Sequence, residues 1–263
     1  MAKKLNELST RTPVNTDYMY ITTNDGTVEG KQQLINITEL PVQGNITVTF
    51  NSSQTRDEIQ TIINEQDRYI PHGSSITFQF SNGTYTLDDT LYFLGFYGSG
   101  YINIWGDHSQ TDDLHTNHNV HLNFTSAGNH GINCAHNRMP IIYVEHLKIT
   151  ADDGYSALLV QRQGFFTIRY NYCISVAKTS SGSTGIYVTS GSAALVEDNY
   201  VSNNYYGLHV GNNGTLDSTN NDDTGTQPNY GLRASTNGIL GKTSTQPAGS
   251  TANESFSIGG KIL

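Results

Sequence analysis

Between residues 131 and 234 the chain repeats itself. The tetrads Gly131-Ile132-Asn133-Cys134, Ala157-Leu158-Leu159-Val160, Gly185-Ile186-Tyr187-Val188, Gly207-Leu208-His209-Val210 and Gly231-Leu232-Arg233-Ala234 begin 26, 28, 22 and 24 residues apart. Their second and fourth positions are apolar or small, and the third varies. That is the period of a strand with one face turned inward and the other free. A second column lies between them: Val144-Glu145-His146, Ile168-Arg169-Tyr170 and Val196-Glu197-Asp198, the last two continuing as Asn171-Tyr172-Cys173 and Asn199-Tyr200-Val201. Two short strand families per period, with no helix between them, predict stacked β-coils. The period is too short for a propeller blade of about 40–45 residues, and no leucine-rich consensus is present. Composition agrees: 14% of residues are charged, and Thr, Tyr, Val and Ile alternate with Gly and Asn, which suits strands and tight turns rather than helices.

These residues resemble the right-handed parallel β-helix of pectate-lyase-like proteins, so the expected fold class is all-β. In that family a buried asparagine recurs at one turn of successive coils. Asn171 and Asn199 stand where such a ladder would run, and the alternative is that both are exposed turn residues. "ITFQFSNGTYTLDDTLYFLG" and "YINIWGD" are similar to the opening coils of the same fold. Residues 76–240 then make about seven coils, a rod of about 33 Å at the usual strand spacing. Residues 45–75 read as a linker and a helix that caps the open end. Thr55 with Glu58 fits a capping box, Ile59, Ile62, Ile63 and Ile70 form an apolar stripe, and Pro71 marks the stop. Residues 241–263 read as a C-terminal tail, with "ESFSIGGKIL" as a last covering strand.

Residues 1–44 are of a different kind. Tyr18-Met19-Tyr20-Ile21-Thr22 reads as a strand, Asn24-Asp25-Gly26 as a turn and Thr27–Lys31 as a return strand. This stretch resembles the attachment modules that begin many bacteriophage tail-fibre and tailspike proteins, and residues 230–263 resemble the closing coil of such proteins. The resemblance implies a homotrimer on the virion, docked to a tail, baseplate or capsid protein through residues 1–44 and facing host-surface polysaccharide. Synthesis in the host bacterial cytoplasm is expected, because "MAKKLNELSTRTP" lacks the apolar core of a signal peptide. The net charge of −9 argues against nucleic acid, and no apolar run reaches membrane-spanning length.

Many phage β-helix spikes cleave polysaccharide with two carboxyls about 5–9.5 Å apart, one of raised pKa. The adjacent pairs Asp88-Asp89, Asp112-Asp113, Asp152-Asp153 and Asp222-Asp223 read as turn formers. The best-placed candidates are Glu145 and Glu197, two coils apart in one outward column, about 9–10 Å. Arg169 stands between them and favours both charged forms, which is hostile to a general acid. Nucleophile elbows, phosphate loops and zinc-type cysteine pairs are absent, and no cofactor is expected. A host-recognition appendage is therefore the leading reading. A polysaccharide depolymerase, with a site shared between subunits, and a purely structural capsid or baseplate part are the alternatives.

Three further features stand out. The third tetrad positions Asn133, Leu159, Tyr187, His209 and Arg233 form one outward column, expected to be an exposed subunit interface or a glycan platform. "GNNGTLDSTNNDDTGTQPN" (211–229) reads as a long loop excursion, and Cys134 and Cys173 as buried hydrophobes on different walls. The run "GDHSQTDDLHTNHNVHLNF" (106–124) holds four of the nine histidines. Val120, Leu122 and Phe124 make the inward face of its strand, which leaves 107–119 as a loop. His118 and His121 cannot chelate together from one strand, so a metal would require His115 to fold back or symmetry copies to meet on a trimer axis. The expectation is a polar contact surface without metal.

Overall fold

A computed structural model describes residues 18–22, 28–33, 44–109, 118–124, 128–138 and 140–263. Residues 1–43 cluster as one unit and 44–263 as another. In the first, Tyr18–Thr22 pairs antiparallel with Val28–Gln33, the hairpin that the sequence predicts; its turn lies outside the described residues.

The second unit is a parallel β-solenoid of about eight turns. Each full coil lays one strand on each of three sheets, here sheets I, II and III in chain order, which hold nine, six and seven strands. Inward columns run in register from coil to coil. On sheet I, Ile76, Ile102, Ile142, Phe166, Ala194, Leu216, Leu240 and Ile262 stack in one such column. On sheet III, Phe93, Cys134, Val160, Val188, Val210 and Ala234 do the same. Each large side chain removed from water in this way contributes about 1.5–3 kcal/mol. Cys134 on sheet III and Cys173 on sheet II are both buried and free; burial raises both thiols, that of Cys173 to about 12.

The asparagine ladder is real, and one rung longer than the sequence suggested. Asn171, Asn199 and Asn221 are all fully buried. The Leu147 N–H donates to Asn171 Oδ1, the Asn171 N–H to Asn199 Oδ1, and the Asn199 N–H to Asn221 Oδ1, at 3.1, 3.1 and 2.9 Å. The residue before each rung (Tyr170, Asp198, Asn220) is in the left-handed region, which turns the chain from sheet I to sheet II.

Helix Arg56–Glu65 caps the N-terminal end. Its capping box of Thr55 and Glu58 is formed, and Ile59 and Ile63 are buried. Gln60 also closes an exposed sheet edge. Its carboxamide donates to the Tyr92 carbonyl at 2.9 Å and accepts from the Tyr92 N–H at 2.8 Å, standing in for a neighbouring strand against Leu91–Leu94.

Three boundaries differ from the sequence reading. The solenoid begins at Asn45–Phe50 and ends at Lys261–Ile262, so it outruns residues 76–240 in both directions. Ile70 is not on the helix: it sits in the strand Tyr69–Ile70 beside Tyr97–Gly98. Residues 211–229 are not an excursion but part of a coil, carrying strands Thr215–Thr219 and Asp222–Asp223. Leu216 and Ser218 supply its inward face by stacking on Ala194 and Val196, and a small inward residue hid that pattern.

Candidate functional site

At the turn from sheet I to sheet II, the expected charge column is in register: Trp105, Glu145, Arg169, Glu197 and Thr219 lie on successive coils. Glu145 is only 2% exposed. Arg169 Nε donates to its Oε1, and His108 Nε2 lies 3.3 Å from its Oε2. Arg169 separates Glu145 from Glu197, as the sequence implied, and leaves no free pair of facing carboxyls. Burial lowers Arg169, but the hydrogen bond and charge of Glu145 outweigh it and raise the guanidinium.

His108 is the histidine that the sequence reading missed. Its ring packs at a tilt against Trp105 at 4.4 Å and His146 at 4.3 Å, and His146 stacks in turn on Tyr170 at 5.0 Å. Burial depresses the pKa of His108, which the carboxylate of Glu145 offsets in part. Gly106 permits the approach, since a Cβ there would meet the His146 carbonyl at 1.8 Å. The available signal was pairing: once Glu145 aligns with Trp105, His108 must fall close to it. Asp107 accepts from Ser109 and from Asn119 Nδ2, tying the two ends of the histidine loop together; these bonds hold its carboxyl well below the usual range.

The histidines singled out for metal do not converge where they are described. His118 Nε2 lies 2.7 Å from the Tyr170 carbonyl, while His121 Nε2 lies 2.9 Å from Thr150 Oγ1. Burial, aided by Lys148, lowers the pKa of His121 to about 4. His115, with Asp112 and Asp113, lies outside the described residues. Among the described residues no group of three His, Cys, Asp or Glu could hold a metal ion. Two of the other acid pairs lie between strands, where Asp89 accepts from the Thr90 N–H and Asp152 from the Asp153 N–H; Asp222-Asp223 is not a turn but a short strand, with Asp222 accepting from the Asp223 N–H.

The outward column of sheet III is also in register, as Tyr92, Asn133, Leu159, Tyr187, His209, Arg233 and Ser255. It is not the exposed stripe expected. Asn133 and Leu159 keep only 7% and 5% of their surface, because stacked neighbours cover one another, and Gln161 Nε2 donates to Asn133 Oδ1. Farther along, Tyr187 and His209 stack at 4.3 Å and 12°. Arg233 donates to Ser255 and Ser257 and lies 5.4 Å from the Tyr206 ring centre. Burial first, then Arg233, lowers the pKa of His209 to about 3.

Two of the surfaces among the described residues stand out. On the outer face of sheet I, Tyr101, Ile141 and Phe165 line up on successive coils, with Phe165 60% exposed and Leu195 one column over. At the turn from sheet III back to sheet I, a cleft of about 760 Å³ is lined by Gly95, Tyr97, His136, Arg138, Arg162, Gln163 and Ser190. Compared with family models, curated proteins and solved structures, the chain matches none. What the geometry defines is thus a class, a parallel β-solenoid with a helix at one end, and function has to be argued from its surfaces.

Proposed function

We propose that the chain is a bacteriophage virion appendage, of the tail-fibre or tailspike kind, that binds host-surface glycans along its rod. The observation that carries this reading is a stack of about eight parallel coils in a chain that also has a separate N-terminal unit with its own hairpin. Such a stack holds surface side chains at fixed spacing over a length suited to a polymeric ligand. Residues 1–44 would dock to a tail, baseplate or capsid protein. The exposed column Tyr101, Ile141 and Phe165 supports self-association into the proposed homotrimer, since apolar area on a solenoid face is most simply covered by another copy. Binding is favoured over cleavage by the Glu145–Arg169 pair, which keeps the best-placed carboxylate occupied.

The test is incubation of the purified protein with capsule and lipopolysaccharide of candidate hosts, reading both retention and release of reducing ends. Retention without product release supports the reading. Product release that Glu145→Gln removes would replace it with a depolymerase, and no retention on any host surface would overturn it.

A further inference from the structure

The cleft between sheets III and I is cationic in a chain of net charge −9, and no acid is among its lining residues. Its arginines differ from the others that the structure describes. Arg56 pairs with Asp57 and Asp89, Arg68 donates to Asn64 and lies over Phe96, Arg169 pairs with Glu145, and Arg233 is held by two serines. Arg138 and Arg162 are exposed and have no carboxylate partner among the described residues; Arg162 Nη1 is 2.6 Å from His136 Nε2.

The backbone here is costly. His136, Arg162, Gln163 and Ser190 are all left-handed, at φ 58°, 59°, 69° and 54°. Later coils place the same demand on Asn212 and Asn213, then on Thr236 and Asn237, then on Ile258 and Gly259. Asn and Gly enter this region readily, whereas Arg and Gln do so at a cost. The left-handed turn thus recurs along the rod, and what sets the cleft apart is the pair of exposed guanidiniums it carries without a carboxylate partner among the described residues.

From Gly95 to Ser190 the lining spans four successive coils, about 14 Å at the usual strand spacing. The volume suits a ligand of several rings. Tyr97, half exposed and 5.4 Å from the Tyr69 ring, offers a flat apolar face, while Gln163 and Ser190 offer neutral hydrogen bonds. We infer that this cleft binds an anionic oligosaccharide lying along the rod, with Arg138 and Arg162 on its acidic groups and Tyr97 against a sugar ring. A guanidinium fork fits carboxylate and phosphate alike. The inference rests on the glycan-binding reading above and deepens it by assigning the site and the charge of the ligand.

The test is titration calorimetry of the full chain with three probes: a hyaluronan hexasaccharide bearing carboxylates, a phosphomannan hexasaccharide bearing phosphates, and neutral maltohexaose. Wild type, Arg138→Ala, Arg162→Ala and Arg162→Asn are compared, and a thermal melt confirms that each variant is folded. Binding of either anionic probe at least 10-fold tighter than maltohexaose, weakened by about 10- to 100-fold in the variants and by added salt, supports the site and identifies the acidic group. Anionic binding that the arginine variants leave intact overturns the assignment to this cleft. Equal binding of all three probes, unaffected by the variants, overturns the inference while the glycan-binding reading stands. Binding of none of these probes overturns the inference alone when host polysaccharide is still retained, and the glycan-binding reading as well when it is not.

Discussion

Replacing Asn199 by alanine tests the ladder directly. Its Oδ1 accepts from the Asn171 backbone N–H at 3.1 Å and from Asn171 Nδ2 at 3.0 Å. Its Nδ2 donates to the carbonyls of Ile168 and Glu197, both at 2.8 Å, and reaches Asn221 Oδ1 at 3.0 Å. Truncation strands a buried N–H, at about 1–3 kcal/mol, and withdraws a donor from two carbonyls at about 0.5–1 kcal/mol each. The expected loss is about 3–4 kcal/mol, or about 10 °C in Tm for a unit of this size. Chemical denaturation followed by far-UV circular dichroism measures it, with the exposed Thr215→Ala as a control expected within about 0.5 kcal/mol. Asn199→Asp adds a sign test. A buried aspartate facing two carbonyls has a folded pKa raised above its unfolded value of about 3.9. Its stability relative to wild type is therefore best below that value and is lost as pH rises through the folded pKa. An Asn199→Ala variant within 1 kcal/mol of the Thr215→Ala control would refute the reasoning.

Two further outcomes are expected. His209, at about 3, and His121, at about 4, are held below their unfolded value of about 6.5. Each binds a proton on unfolding, so stability is full above pH 6.5 and falls on acidification toward pH 4, by up to about 1.4 kcal/mol per pH unit per histidine. Urea midpoints at pH 7 and pH 5 measure this, and His209→Gln should reduce the slope without abolishing it, since burial also lowers His108 and His130; a slope parallel to wild type would remove His209 as a source. Arg162→Asn should raise stability by about 0.5–1 kcal/mol, since asparagine accepts the left-handed turn more readily. A lower Tm in differential scanning would show that the Arg162–His136 contact outweighs the strain.

Most of the solenoid was legible because its inward pattern is written in large apolar residues. Ile132 and Cys134, Leu158 and Val160, and Ile186 and Val188 stack as the tetrads implied. Legibility failed where the pattern thinned. The coil through Leu216 carries one large inward residue among Asn, Asp and Thr, so it resembled a loop and concealed Asn221. The helix end was misjudged because Ile70 belongs to a short strand that the stripe passed through by coincidence. Register placed Glu145 and Arg169 together, since residues at equal depth on adjacent strands must meet. Exposure in the sheet III column depended on neighbouring side chains, which spacing along one chain does not specify. The cleft escaped notice for a related reason: Arg138 and Arg162 lie in different turns, and only the winding of the coils makes them neighbours.

Five buried asparagines send bonds to carbonyls in one direction, although their side chains also bond one another along the ladder. Asn137, Asn171, Asn199, Asn204 and Asn221 donate to carbonyls of Phe93, Val144, Ile168, Cys173 and Val196, each on the coil nearer the N-terminus. A chain emerges from the ribosome in that same order. Each new coil therefore locks the one made before it, like a course of masonry keyed into the course below. The newest coil of a growing chain is thus the one whose carbonyls still await their lock, so the rod carries a direction in its side chains.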